Sequence, residues 1–146
     1  MVNAITKRFS KLARDEDGAA VVEFALVMPI LALIVFCILD LGRAFYTVNN
    51  LVSAVREGAR YGAVLADPGS TSGQLAIKNR VRTTFPPFGS DTLTNAQIEV
   101  VFPETRDLVT VRVTYPFRPL TPIAEPFGLG TWSIVRQATF RWERGA

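Results

Sequence analysis

A chain of 146 residues, 49% of them hydrophobic and with a net charge of +3, has room for one modest folded domain beside a leader and an anchor, and no room for a second. With no histidine and a single cysteine, imidazole-based metal sites, Ser-His or Cys-His nucleophiles and an intramolecular disulfide are excluded. The later carboxylates, Asp67, Asp91, Glu99, Glu104, Asp107, Glu125 and Glu143, show no metal-ligand spacing, and there is no Gly-rich phosphate loop or nucleophile elbow. No catalytic residue, cofactor site or metal site is therefore expected, and the chain is read as a non-enzyme.

Residues 1–18 read as a cytosolic basic leader in which Lys7, Arg8, Lys11 and Arg14 precede an apolar run. By the positive-inside bias this end stays in the cytoplasm and the C-terminal part crosses; Asp15, Glu16 and Asp17 count little against it. A conventional secretory signal fits less well, because its apolar core spans about 7 to 15 residues and ends in a small-residue cleavage site. Here the helical pattern runs straight on.

Residues 19–39 read as a transmembrane helix. The 21 positions from Ala19 to Leu39 are broken only by Glu23, and at about 1.5 Å per residue they give roughly 31 Å, close to the ~30 Å hydrocarbon thickness of a bilayer. Glu23 has two readings. It snorkels into headgroups near the cytosolic end, or it has a partner, as intramembrane carboxylates usually do. Pro29 removes a backbone donor and predicts a helix kink, either as a tolerated membrane proline or as a hinge for leaving the bilayer. Cys37 is expected to be a buried, apolar-like thiol.

Residues 40–66 are expected to continue the helix with an amphipathic character. Leu41, Phe45, Val48, Val52, Val55, Ala59 and Ala63 recur at spacings of three and four as one apolar stripe, with Arg43, Thr47, Asn50, Arg56 and Glu57 mostly off it. The whole helix from Ala19 to Ala66 would span roughly 72 Å. Gly58 and Gly62, four apart, would let another backbone approach closely, and the protein's own head is the nearer candidate.

Residues 67–146 read as an extracytoplasmic α/β head. Residues 67–73 are a loop by composition, and Gln74 to Phe85 a short helix with Leu75, Ile77, Val81 and Phe85 inward, stopped by Pro86 and Pro87. Lys78, Arg80 and Arg82 on that helix read as a solvated face, since no stacking aromatics are interleaved with them, and no nucleic-acid partner is expected. Period-two alternation then places Ile98, Val100 and Phe102 on one face of a strand and Val109, Val111, Val113 and Tyr115 on one face of the next, joined by a hairpin over 103–107. A third strand carries Trp132, Ile134, Ala138, Phe140 and Trp142, with Arg136 as the exception. Between them, Pro116 to Gly130 reads as a packed irregular loop, either a contact surface for other subunits or a crossover folded onto its own sheet. The fold class is thus α+β: a long N-terminal helix, spanning in its first half and amphipathic in its second, packed by a small antiparallel sheet with one short helix.

Gly18 followed by Glu23 as the fifth residue after it, behind a basic leader and before a long apolar run, resembles the cleavage site of type IV pilin-like precursors. With the Glu23-Phe24 pair, Pro29, Asp40-Leu41-Gly42-Arg43 and Arg56-Glu57-Gly58-Ala59-Arg60-Tyr61, the chain is similar to the TadE-like family, pseudopilins or minor pilins of the Tad (Flp, type IVc) pilus. The resemblance covers roughly residues 14 to 66. It implies a prepilin peptidase that cuts between Gly18 and Ala19 and recognises Glu23 and Phe24. It also implies pairing of Glu23 with the new ammonium at Ala19 of a neighbouring subunit. The implied partners are that peptidase, other pilins or pseudopilins, an inner-membrane assembly platform and membrane lipid. The implied location is the bacterial inner membrane, with the head outside, on the way to a pilus with roles in secretion or adhesion. Two other readings stay open: a general-secretion pseudopilin, and an uncleaved signal-anchored module whose head binds a ligand or wall component.

Overall fold

The structure, a computed structural model, describes residues 16–86, 92–102, 107–121, 128 and 130–143. The leader cations Lys7, Arg8, Lys11 and Arg14, the residues Pro87, Asp91, Glu104 and Glu125, most of the 103–107 hairpin connection and the stretch 122–127 with Leu129 lie outside the described residues. The elements in chain order are α1 (Glu16–Ala63), α2 (Thr71–Thr84), a 3₁₀ turn (Asn95–Gln97), β1 (Ile98–Val101), β2 (Leu108–Phe117) and β3 (Trp132–Arg141). This is the expected α+β architecture. The chain divides into two units, one ending at Leu39 and one from Asp40 to Ala146.

In the first unit, α1 runs unbroken through Pro29. Its apolar side chains, from Val21 and Phe24 to Ile38 and Leu39, are exposed except for the half-buried Ala32 and Leu33, and none of the most apolar window, of mean hydropathy 2.8, is buried. Such an all-round apolar helix with no protein cover is long and apolar enough to cross a membrane. Cys37, expected as a buried thiol, is exposed, like most of the run, and no described residue of this unit packs over it.

The second unit is built on the remaining turns of α1. Leu51, Ala54, Val55, Gly58, Ala59, Gly62 and Ala63 are buried and face the sheet and α2. The expected stripe is right in its second half and out of phase in its first. Leu41 and Phe45 are 58% and 67% exposed, whereas Thr47, placed off the stripe, is buried together with Asp40. The helix also ends at Ala63, three residues short of the expected Ala66. There Val64 N and Leu65 N tighten into i→i−3 bonds to Tyr61 O and Gly62 O. The C-terminal residues finish this end: Glu143 N donates to Ala63 O, and Trp142 Nε1 to Leu65 O, both at 2.9 Å.

The short helix starts earlier than expected, at Thr71, because Ser70 caps it by accepting from Gly73 N, while Asp67 Oδ1 accepts from Ser70 N. Ile77, Val81 and Phe85 are buried as expected; Leu75 is not, lying 48% exposed. Gly58 and Gly62 set how close α2 can come. A Cβ at Gly58 would collide with Val81 Cγ2, and one at Gly62 would lie 2.8 Å from Ile77 Cδ1 and 2.9 Å from Val109 Cγ1. Their close partner is thus the protein's own head.

The sheet is an antiparallel meander in the order β1-β2-β3, with Ile98 opposite Val113 and Val111 opposite Ala138. Val109, Val111, Val113, Tyr115 and Phe117 point into the core, and the opposite face is polar: Thr110 bonds Thr139 at 2.8 Å, and Arg112 reaches both Gln137 and Glu99. On β3, Ile134 is buried as expected, while Trp132 and Phe140 remain 38% exposed. The irregular stretch also begins later than expected. Pro116 and Phe117 belong to β2, opposite Ser133 and Trp132. Pro116 is tolerated because β1 pairs only as far as Val113, so β2 is an edge on that side. The 3₁₀ turn, with Gln97 Oε1 accepting from Thr94 N at 2.8 Å, was not anticipated.

The crowding at Gly58 predicts that Gly58→Ala destabilises the full chain in detergent by about 1–3 kcal/mol, the usual cost of overpacking. Gly42→Ala, with nothing within 4 Å of its Cβ, should be neutral or stabilising by up to about 1 kcal/mol. In denaturant unfolding followed by circular dichroism, the double variant Gly58→Ala/Val81→Ala should lose less than the sum of its single variants.

Candidate functional site

Three groups of residues carry the features singled out in the sequence. The first is Gly18, Ala19, Glu23, Phe24 and Pro29, all within α1. Gly18 is half-buried, and Ala19 and Glu23 are exposed, one helical turn apart on the same face. Phe24 projects beside Glu23, 66% exposed. Among the described residues, Glu23 has no hydrogen-bond or ion-pair partner. This group thus presents one carboxylate and one aromatic ring on an apolar stretch of α1.

The second group is Asp40 to Arg43, the first turn after the apolar run. Asp40 is only 7% exposed. Its Oδ1 accepts from Leu120 N at 2.7 Å, and its Oδ2 accepts from Thr121 N at 3.0 Å and from the Thr121 hydroxyl. Burial pushes the Asp40 carboxyl up, but the hydrogen bonds from the Thr121 side chain and from the Leu120 and Thr121 amides, helped by the Arg43 charge, outweigh it and hold the group below the usual carboxylate range. Arg43 Nη1 lies 3.4 Å from Asp40 Oδ1 and donates to Arg118 O, and its guanidinium sits 5.4 Å from the centre of the Phe117 ring. Both charged residues of Asp40-Leu41-Gly42-Arg43 therefore grip the end of β2 and the four residues after it. Nothing in the structure explains Gly42.

The third group is Arg56 to Tyr61. Glu57 Oε1 accepts from Arg60 Nη2 at 2.8 Å within α1 and from Arg80 Nη2 at 2.6 Å across to α2. Those two guanidinium groups hold the Glu57 carboxyl down to about 2. Arg80 also lies over the Tyr61 ring at 5.9 Å. Arg80, read from sequence as part of a solvated face, is thus half of a staple between the helices, directly above the close contact at Gly58. Arg56 and Arg82 are exposed.

Sequence reasoning singled out Asp40 and Glu57 only as parts of a family pattern. Their partners, Leu120 with Thr121 and Arg80, lie 80, 81 and 23 positions away. No local signal connects them.

Fold and geometry together define a class: a chain with, among the described residues, one helix long and apolar enough to cross a membrane, whose last turns form one wall of a small α+β head. The TadE-like protein family model matches residues 18–60, the segment that holds all three groups up to Arg60. No curated protein and no solved structure matches the chain.

Because both carboxylates titrate lower in the folded chain than in the unfolded one, each contributes stability that is complete above its unfolded value and lost as pH falls through its folded value. For Glu57 that window runs from about 4.5 down to about 2. Acid unfolding of the full chain should therefore lose part of its pH dependence in Glu57→Gln. Asp40→Ala, which strips the buried Thr121 amide and the part-buried Leu120 amide of their acceptor, should cost about 2–4 kcal/mol at neutral pH. A midpoint for Asp40→Ala equal to that of the unaltered chain would show that the contact does not hold the head.

Proposed function

We propose that the chain is a minor pilin or pseudopilin, a structural subunit in the assembly or initiation of a Tad pilus, and that it is not an enzyme. The observation that carries the reading is the TadE-like match over residues 18–60, which overlaps a helix segment long and apolar enough to cross a membrane, with none of its most apolar window buried. In this reading a prepilin peptidase of the inner membrane cleaves between Gly18 and Ala19, recognising Glu23 and Phe24. The basic leader stays in the cytoplasm, and residues 19–39 hold the chain in the membrane with the head outside.

Assembly then exploits the exposed carboxylate. Cleavage creates an ammonium at Ala19, and Glu23 of one subunit pairs with that group on its neighbour. Opposite charges in an apolar setting repay their desolvation only when they meet, so the pair sets the register between subunits more than it adds stability. Pro29 supplies local looseness in the helix for its passage from bilayer to filament. Other pilins and the inner-membrane platform are the partners; no nucleic acid takes part.

The intact mass and N-terminal sequence of the protein from membrane fractions, with and without the peptidase, test the processing step. The expected chain begins at Ala19 only when the peptidase is present; a chain beginning at Met1 in both samples would leave an uncleaved anchor. In a Glu23→Leu strain the protein should remain in the membrane but drop out of sheared pilus fractions, and normal assembly there would overturn the role given to Glu23.

A further inference from the structure

We infer that the outer edge of β3 docks a strand of another chain and that charge chooses the partner: Arg136 turns away a second copy of this protein and accepts a strand with a carboxylate opposite it. Among the described residues β3 is the last strand of the sheet, paired along its length with β2 and with no strand on its other side. An antiparallel strand turns alternate backbone groups to each of its two sides, so half of those of Trp132–Arg141 face outward along this edge. An edge of that length is a ready template for another strand.

The side chains of β3 define which strand fits. On the core-facing side, the rows that cross the sheet end in apolar residues with one exception. Val109 lies opposite Phe140, Val111 opposite Ala138, Tyr115 opposite Ile134 and Phe117 opposite Trp132, whereas the row of Ile98 and Val113 ends at Arg136. Ile98 and Val113 are buried and Arg136 is half-buried. Among the described residues its one hydrogen bond runs from Nη1 to Val135 O at 2.7 Å, and no carboxylate pairs with it. Trp132 and Phe140, on the same side, are partly exposed. A strand laid along this edge would cover that apolar surface and would also draw the guanidinium out of water, which is costly unless a counter-charge arrives with it.

A second copy brings no counter-charge. β3 holds two arginines and no acid. In the two antiparallel registers of fullest overlap that keep like faces together, Arg136 lies opposite its own counterpart or diagonal to it. Like charges so placed are unfavourable and opposite charges favourable, so one residue both rejects the copy and selects the partner. The fitting strand is apolar on its core-facing side except for one Asp or Glu at the position that meets Arg136.

The test mixes two versions of the full chain in detergent, with the Arg136→Glu variant as the probe. Both carry a nitroxide on Ser133→Cys, an exposed position on the outer face of β3, in a Cys37→Ser background. Pulsed electron paramagnetic resonance reads the distance between chains, and light scattering reads their mass. Chains with Arg136 alone, and Arg136→Glu chains alone, should show no defined distance; the equimolar mixture should show one, with the mass of a pair. Arg136→Val, which removes the charge, should pair with itself. A mixture no more associated than its components would overturn the inference. So would an Arg136→Val chain that stays apart, a result that holds even where Arg136→Glu folds poorly. A distance common to all samples, with none added in the mixture, would place the association elsewhere in the chain and would also overturn it.

Discussion

The close approach of α1 to the head, at Gly58 and Gly62, is the constraint on which the second unit depends. The inward faces of Val109, Val111 and Val113 share one core with Leu51, Val55 and Ala59 of α1 and with Ile77 and Val81 of α2. The glycines remove the side chains that would otherwise hold Val81 and Ile77 away. Around this contact the polar groups are arranged as clamps. Glu57 ties α2 to α1 through Arg80, Trp142 and Glu143 tie the chain's end to the last turn of α1, and Asp40 ties the end of β2 to its earlier turns. The helix that carries the apolar run is thereby also one wall of the head.

Periodicity alone found most of this wall, and its failure at the upper turns is instructive. The period of the stripe from Leu41 to Ala63 was legible, but its phase was not. Apolar side chains at a helical spacing face something apolar, and the sequence does not say whether that is a protein core or a lipid. Val55, Ala59 and Ala63 face the core; Leu41 and Phe45, with the same spacing, stay outside. The residues that do turn inward there, Asp40 and Thr47, are polar, so a hydrophobic pattern passes over them. The strands were easier, because alternation on β1 and β2 has one buried side and one wet side. Leu75 and the half-exposed Trp132 and Phe140 show the same limit as Leu41: an apolar residue in the right register is buried only if something lies over it.

The family pattern was legible because it is local in sequence. The pattern from Gly18 to Phe24, and the motifs at Asp40 and Arg56, lie inside the segment that matches the TadE-like family. The partners of Asp40 and Glu57 are far away in the chain and chemically ordinary. A leucine amide, a threonine in a proline-rich stretch and one arginine among several on α2 become specific only once the fold brings them together. Arg80 is the clearest case. On a helical wheel it is one more solvent-facing cation beside Lys78 and Arg82, and only the nearness of the two helices at Gly58 lets it reach Glu57.

Asp40 and Glu23 pose the same physical problem, and the chain treats them differently. Each is a carboxylate in or beside an apolar run, where an ion without partners is costly. At Asp40 the cost is met inside the molecule, by two backbone amides, a hydroxyl and a nearby guanidinium, and the carboxylate is closed off from its surroundings. At Glu23 no described residue offers a donor, and the side chain stands exposed one turn from Ala19. Under the proposed function the donor for Glu23 is the ammonium of a neighbouring subunit.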